Sequence, residues 1–323
     1  MSSTEQERER ENYAMRRRDL LQGAAAFGLL AAAPFSSAGR LFAGAGPAGA
    51  TGKPSSAGPD PLAPPAAGSI PVAFLLSEGA VVIDFCGPWE VFQDVSIAGR
   101  KDAPFRLYTV AETAEPVRAS AGLKIVPDYT LTTAPAPKVV VIPAQNGNSP
   151  AMLDWIRESA KSADLTMSVC TGAFLLAQTG LLAGKSATTH HHGYREFAME
   201  FPDVRLRRGA RFVEDGRVAS AGGLSSGIDL AFRVVERYFG REVAAGTAEH
   251  MEYQGQGWLN PGSNAMYVSE RKSTDAHPLC PVCWMDVDPQ TAPKSAYRGK
   301  SYYFCMPPHK ARFDATPDRY LET

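Results

Sequence analysis

The stretch Leu165-Thr166-Met167-Ser168-Val169-Cys170-Thr171-Gly172-Ala173-Phe174-Leu175-Leu176-Ala177 decides how this chain is read. Its first five residues read as a short buried strand, and the residues after Gly172 are apolar and helix-forming. A strand that passes into a helix through Cys-Thr-Gly forms an elbow. The tight turn exposes the cysteine sulfur, and the N–H groups that open the helix point at it, favouring thiolate over thiol. The same amides could hold an anionic intermediate. Gly172 keeps the crossover uncrowded. The competing reading is a buried cysteine that packs as a small hydrophobe.

Working outward from the elbow, residues 70–76, 105–110 and 138–143 are further strand candidates, and 187–190 is a possible short one. Met152, Leu153 and Ile156 have the spacing of a helix face, and Val91 and Phe92 belong to a helix expected to begin after Pro88, which suits a first helical position. Residues 212–221, with Asp215-Gly216 at the centre, predict a hairpin. A helix over 228–239 is closed by Gly240. Strands alternating with helices predict an α/β fold with a mostly parallel sheet sandwiched by helices. In such sheets the ligand crevice lies at the carboxyl ends of the strands, where Cys170 falls.

The chain has 323 residues, roughly two domains' worth. Its 33 Lys+Arg against 34 Asp+Glu leave a net charge of −1, which argues against a nucleic-acid coat or a polybasic membrane arm. Arg16-Arg17-Arg18-Asp19-Leu20-Leu21 precedes an uncharged, Ala-rich stretch over 20–39, and Ala43-Gly44-Ala45 offers a cleavage site. The arrangement resembles a twin-arginine export signal over residues 1–45, which predicts a periplasmic or otherwise exported protein. Contact with a membrane is then expected only through an uncleaved signal. Residues 46–69 hold six Pro and five Gly and read as a flexible linker.

Four segments carry a family resemblance. They are Val82-Ile83-Asp84-Phe85-Cys86-Gly87-Pro88-Trp89-Glu90, the elbow itself, Ala187-Thr188-Thr189-His190, and Ser220-Ala221-Gly222-Gly223-Leu224-Ser225-Ser226-Gly227-Ile228-Asp229. On these, residues 70–258 resemble the DJ-1/PfpI superfamily, which implies a flavodoxin-like fold. Cys-Thr-Gly together with Asp-x-x-Gly-Pro is similar to the isonitrile hydratase branch and to sensor domains of AraC-type regulators. The resemblance implies Cys170 as nucleophile, Asp84 as the carboxyl group touching its sulfur, Thr171 as a polar neighbour and His190 as a pocket residue. Thr171 stands where the protease-like branch has His, which argues against a peptidase. An expected export signal and a tail without a helix-turn-helix pattern argue against DNA binding.

A carboxyl group beside a thiol raises the pKa of whichever holds the proton, so Asp84 is placed to donate a hydrogen bond or act as general acid. His190, His191 and His192, read as a strand end, would alternate between faces and could not share one metal. His191 replaces an aromatic usual in the branch, and Ala144 and Gln145 interrupt a loop that is Gly-rich in relatives. Cys86 either packs or serves as a resolving thiol.

Residues 259–276 read as a second linker. Beyond them, Cys280-x-x-Cys283 and Cys305-x-x-x-His309 supply four soft-to-borderline ligands in paired spacing, suited to zinc or copper. The open alternative is a Cys280–Cys283 disulfide. A unit over 277–323 is too short to stand on an apolar core alone. With Tyr297, Gly299, Tyr302, Phe304, Phe313 and Tyr320 it resembles a YHS domain, a small metal-associated module, although Trp284 stands where relatives commonly have Gly. The expected protein is a cysteine-dependent hydratase or hydrolase for a small electrophile, isonitriles being the most concrete candidate. No cofactor is expected for the main domain and one metal ion for the tail. A homodimer is an assembly the resemblance suggests. The competing readings are a ligand- or metal-sensing protein and a thiol redox protein.

Overall fold

The computed structural model describes residues 60–65, 67–268 and 273–321; the expected export signal and most of the first linker lie outside them. The strands in chain order are β1 (Ile70–Leu75), β2 (Phe105–Ala111), β3 (Val117–Arg118), β4 (Lys124–Ile125), β5 (Tyr129–Thr130), β6 (Val139–Ile142), β7 (Leu165–Val169), β8 (Ser186–Ala187), β9 (Arg205–Leu206), β10 (Phe212–Asp215) and β11 (Val218–Ala221). The helices are α1 (Val82–Gln93), α2 (Pro150–Ser162), α3 (Gly172–Gln178), α4 (Tyr194–Glu200), α5 (Ser226–Phe239) and α6 (Arg241–His250).

Seven strands form one sheet in the order β10-β11-β7-β6-β1-β2-β5. All pairings are parallel except the β10–β11 hairpin. The pleat divides the apolar residues between two cores. Val72 and Phe74 of β1 and Val139 and Val141 of β6 face one side with Phe85, Phe92 and Leu230. Ala73, Leu75, Val140 and Ile142 face the other with Met152, Ile156, Leu176 and Phe197. The expected α/β sandwich is therefore the fold, and β6 and β7 place their carboxyl ends side by side beneath the elbow.

Three local expectations need correction. Helix α1 begins at Val82 and carries Pro88 in its interior, so Asp84 lies in the first helical turn and is fully buried. Tertiary packing of Phe85, Val91 and Phe92 overrides the local preference for Pro at a helix start. The strand expected over 187–190 stops at Ala187, and His191–Gly193 is a 3₁₀ turn. The segment after 258 packs rather than merely linking: Asn264 is buried and its side-chain amide donates to Ser226 Oγ at 3.2 Å.

The tail forms a hairpin of β12 (Lys294–Tyr297) and β13 (Lys300–Tyr303), followed by α7 (Pro307–Ala315). Phe304 and Phe313 centre its own small apolar cluster, with Val282 and the buried Cys280 and Cys283. Among the described residues, no helix is long and apolar enough to cross a membrane.

Candidate functional site

Cys170 follows β7 directly and adopts φ +57°, a left-handed conformation unfavourable for a residue with a Cβ. Two hydrogen bonds hold it there. Its N–H donates to Gly222 O at 2.9 Å, and its carbonyl accepts from Thr189 Oγ1 at 2.9 Å. Gly172 is obligatory next door, since a Cβ there would lie 2.2 Å from the Ile142 carbonyl oxygen. The sulfur is faced by the N–H groups of Thr171 and Leu224 and by the Thr171 side chain. Cys170 is 7% exposed, and Thr171 is exposed beside it.

Asp84 closes the site from α1. Its Oδ2 accepts the Ala144 N–H at 3.1 Å. Its Oδ1 is sealed from solvent with no donor in hydrogen-bonding geometry among the described residues, and the Cys170 thiol is the polar group beside it. Burial raises the Asp84 pKa to about 7, against the lowering effect of Ala144 N–H and Cys170. Burial, and then the Asp84 charge, push the Cys170 thiol up to about 11, outweighing the amides of Leu224 and Thr171. The thiolate expected from the helix start is thus not the resting form; desolvation wins over the opening turn of a seven-residue helix. The Ala144 amide holds the carboxyl group, so it is not spare for an oxyanion.

His190 reaches the same region. Its Nδ1 accepts the His192 N–H at 3.2 Å, and its Cδ2/Nε2 edge packs so closely on Gly223 that a Cβ there would lie 2.3 Å from Cδ2. Burial and the two neighbouring imidazoles lower its pKa to about 4, so the ring is neutral. The 3₁₀ turn gathers nitrogens of all three histidines within 4.8 Å, which corrects the expectation of alternating faces. One His190 nitrogen is thus engaged and the opposite edge of the ring is packed against Gly223. His191 stacks on Tyr267 at 5.0 Å between ring centroids. Cys86 lies on α1, half-buried against the main core, which is a packing position.

The structure brings Cys170, Asp84 and Thr171 together and puts His190 at the edge. Sequence reading missed the Leu224 N–H. Leu224 has φ +42°, and the only hint is the Gly222-Gly223 pair that lets the turn form.

In the tail, one atom from each of Cys280, Cys283, Cys305 and His309 lies within 4.8 Å of the others. Cys283 and Cys305 sulfurs are 3.5 Å apart, and His309 Nδ1 is 3.2 Å from Cys305 Sγ and 3.7 Å from Cys280 Sγ. Ligands about 2.0–2.3 Å from a tetrahedral ion stand about 3.4–3.8 Å from one another, so the set fits a metal. All five cysteines stand as free thiols in this structure. A hydrogen bond from Cys283 lowers Cys280, with burial opposing, and the same bond raises Cys283.

Residues 71–237 match the model of the DJ-1/PfpI family. The chain belongs to the DJ-1/PfpI family. Residues 280–323 match the YHS domain. An isonitrile hydratase of Pseudomonas putida is 31% identical over 190 residues, 57% of this chain and 79% of that protein. The HTH-type transcriptional regulator GbdR of Pseudomonas aeruginosa is 26% identical over 188 residues, which are 57% of this chain but only 50% of the regulator. The crystal structure of a THiJ/PfpI family protein from Pseudomonas syringae superposes with a TM-score of 0.53 at 26% identity, covering 62% of this chain and 85% of that one. The DJ-1/PfpI domain thus carries the thiol–carboxyl pair, and the YHS domain carries the Cys₃His cluster.

Proposed function

We propose that the DJ-1/PfpI domain is a cysteine-dependent hydratase for a small electrophile, an isonitrile by preference, and that the YHS domain holds one zinc or copper ion. The observation that carries this is the buried Asp84 carboxyl group, with a pKa near neutrality, beside the Cys170 thiol on a strained elbow. The likeness to the P. putida isonitrile hydratase supports the substrate class.

With Asp84 ionised, the thiol proton passes to the carboxylate as Sγ attacks the terminal carbon of R–N≡C. Asp84 then delivers that proton to the same carbon, giving the thioimidate R–N=CH–S–Cys170. Water adds to this carbon, with one proton taken by nitrogen. The C–S bond breaks, the other proton returns to sulfur through Asp84, and R–NH–CHO leaves. Each proton move needs one shared proton on the pair, the form that predominates between the two pKa values. Thr171 and Leu224 N–H groups stabilise the developing charge on sulfur. The neutral His190, with the His191 ring stacked on it, stands at the edge of the site.

A thiol held near 11 is a poor target for peroxide, because oxidation proceeds through the thiolate; this disfavours the redox reading. The test is formamide production from alkyl and aryl isonitriles, followed by NMR, in the wild type, Cys170→Ala and Asp84→Asn. Turnover in the wild type with at least 10²-fold loss in both variants is expected; equal turnover in Cys170→Ala would remove the nucleophile. Export through the twin-arginine route is part of the proposal, and cell fractionation with an Arg17→Lys, Arg18→Lys variant tests it.

A further inference from the structure

His309 has two ring nitrogens with different neighbours. Nδ1 faces the sulfurs of Cys280 and Cys305, while Nε2 lies 3.6 Å from Glu196 Oε2, within ion-pair range. Glu196 does not belong to the YHS domain. It stands on α4 of the DJ-1/PfpI domain, which begins where the histidine turn ends.

We propose that Glu196 is the outer-sphere carboxylate of the metal centre, so that a residue of the DJ-1/PfpI domain completes the YHS site and metal loading fastens one domain to the other. The proposal rests on the metal reading of the four ligands. An imidazole that binds a metal through Nδ1 keeps its proton on Nε2, and that N–H needs an acceptor to fix the tautomer and the ring plane. Glu196 is the acceptor at hand: its side chain is 16% exposed and faces Nε2. It acts through His309 and is a positioning residue, not a ligand.

The surroundings are built to keep that carboxylate in place. Arg312 of α7 pairs with Glu196 and, at 2.7 Å, with Glu200. Arg195 donates to Tyr320 O at 2.7 Å and lies 5.1 Å from the Trp284 ring centroid, and Arg319 donates to Met199 O at 2.7 Å. Trp284 holds this contact at φ +62°, a conformation in which Gly would be at ease. These contacts run from the tail to one short helix, α4.

The test is competitive titration of the metal-free full-length chain with Zn²⁺, and with Co²⁺ to read its visible absorption. Glu196→Ala and Glu196→Gln are compared with two variants that loosen docking without touching His309, Glu200→Gln and Arg319→Ala. Glu196→Ala is expected to weaken Zn²⁺ binding ten- to a hundredfold and to shift the Co²⁺ bands. Glu196→Gln, which keeps an acceptor without the charge, should fall between it and the wild type. The docking variants should stay within about twofold of the wild type. Should Glu196→Ala fail to fold, Glu196→Gln alone carries the comparison. Wild-type affinity in the Glu196 variants would overturn this inference while leaving the metal reading intact. Equal losses in the docking variants would overturn it too. No uptake by the wild type would overturn both.

Discussion

Cys170 and Asp84 are both buried, and burial acts on them in one direction: each resists ionisation, and the charge of either makes the other harder to ionise. Asp84 titrates near 3.8 when unfolded and near 7 in the folded chain, so the folded state binds a proton that the unfolded state has released. The stability this contributes is complete below about pH 4 and is lost as pH rises through about 7, a difference of about 2–4 kcal/mol. Asp84→Asn keeps an acceptor for the Ala144 N–H and has no charge to bury. Its urea-unfolding free energy should therefore gain on the wild type by about that amount between pH 4 and pH 8. The same variant removes the charge that lifts the thiol. Iodoacetamide labelling of Cys170, followed by peptide mass spectrometry, should have a midpoint above the free-thiol value of about 8.5 in the wild type and a lower one in Asp84→Asn. A wild-type midpoint below 8.5 would contradict the buried-pair picture. The side chains of this pair were legible in the sequence because Asp-x-x-Gly-Pro and Cys-Thr-Gly are motifs. Leu224 and Ala144 were not, because they act through backbone N–H groups that any residue type can supply.

The elbow is an element in its own right, with β7 and α3 fixed by what lies beneath the turn. A Cβ on residue 172 would meet the carbonyl oxygens of Ile142 and Pro143, which belong to the end of the neighbouring strand and cannot turn aside as a side chain could. Gly172→Ala should lower thermal stability by about 3 kcal/mol and slow Cys170 chemistry together. Calorimetry shows the first, and an unchanged melting temperature would show that the turn has room after all. Strand β7 was readable because Leu165, Met167 and Val169 are separated only by the small Thr166 and Ser168, a run that a covered parallel sheet can bury whole. The start of α1 was not. Pro88 is a local signal for a helix beginning, and it yields here to Phe85 on the turn before it, which only the folded core can reward. The histidine turn escaped for a related reason: two residues of strand give no periodicity to read.

At the scale of the molecule, three apolar clusters are separate, two belonging to the DJ-1/PfpI domain and one to the YHS domain. The small one packs Cys280 and Cys283 directly against Phe304 and Phe313, so metal binding and folding of the tail should be one event. Cys283→Ser is expected to take bound metal from one ion per chain to none by elemental analysis. Its low-temperature calorimetric transition should disappear, while that of the larger domain remains within about 2 °C. Persistence of one ion per chain would place the metal elsewhere. The ligand spacing announced this site in the sequence. The helix it leans on could not be foreseen, because Arg195, Glu196 and Glu200 read as an ordinary charged surface until α7 is laid across them. The contacts named across this seam are ion pairs, a guanidinium group over the Trp284 ring and bonds to carbonyls. Dissolved salt, which weakens such pairs but leaves each oily centre alone, should therefore loosen the hold of the tail on α4.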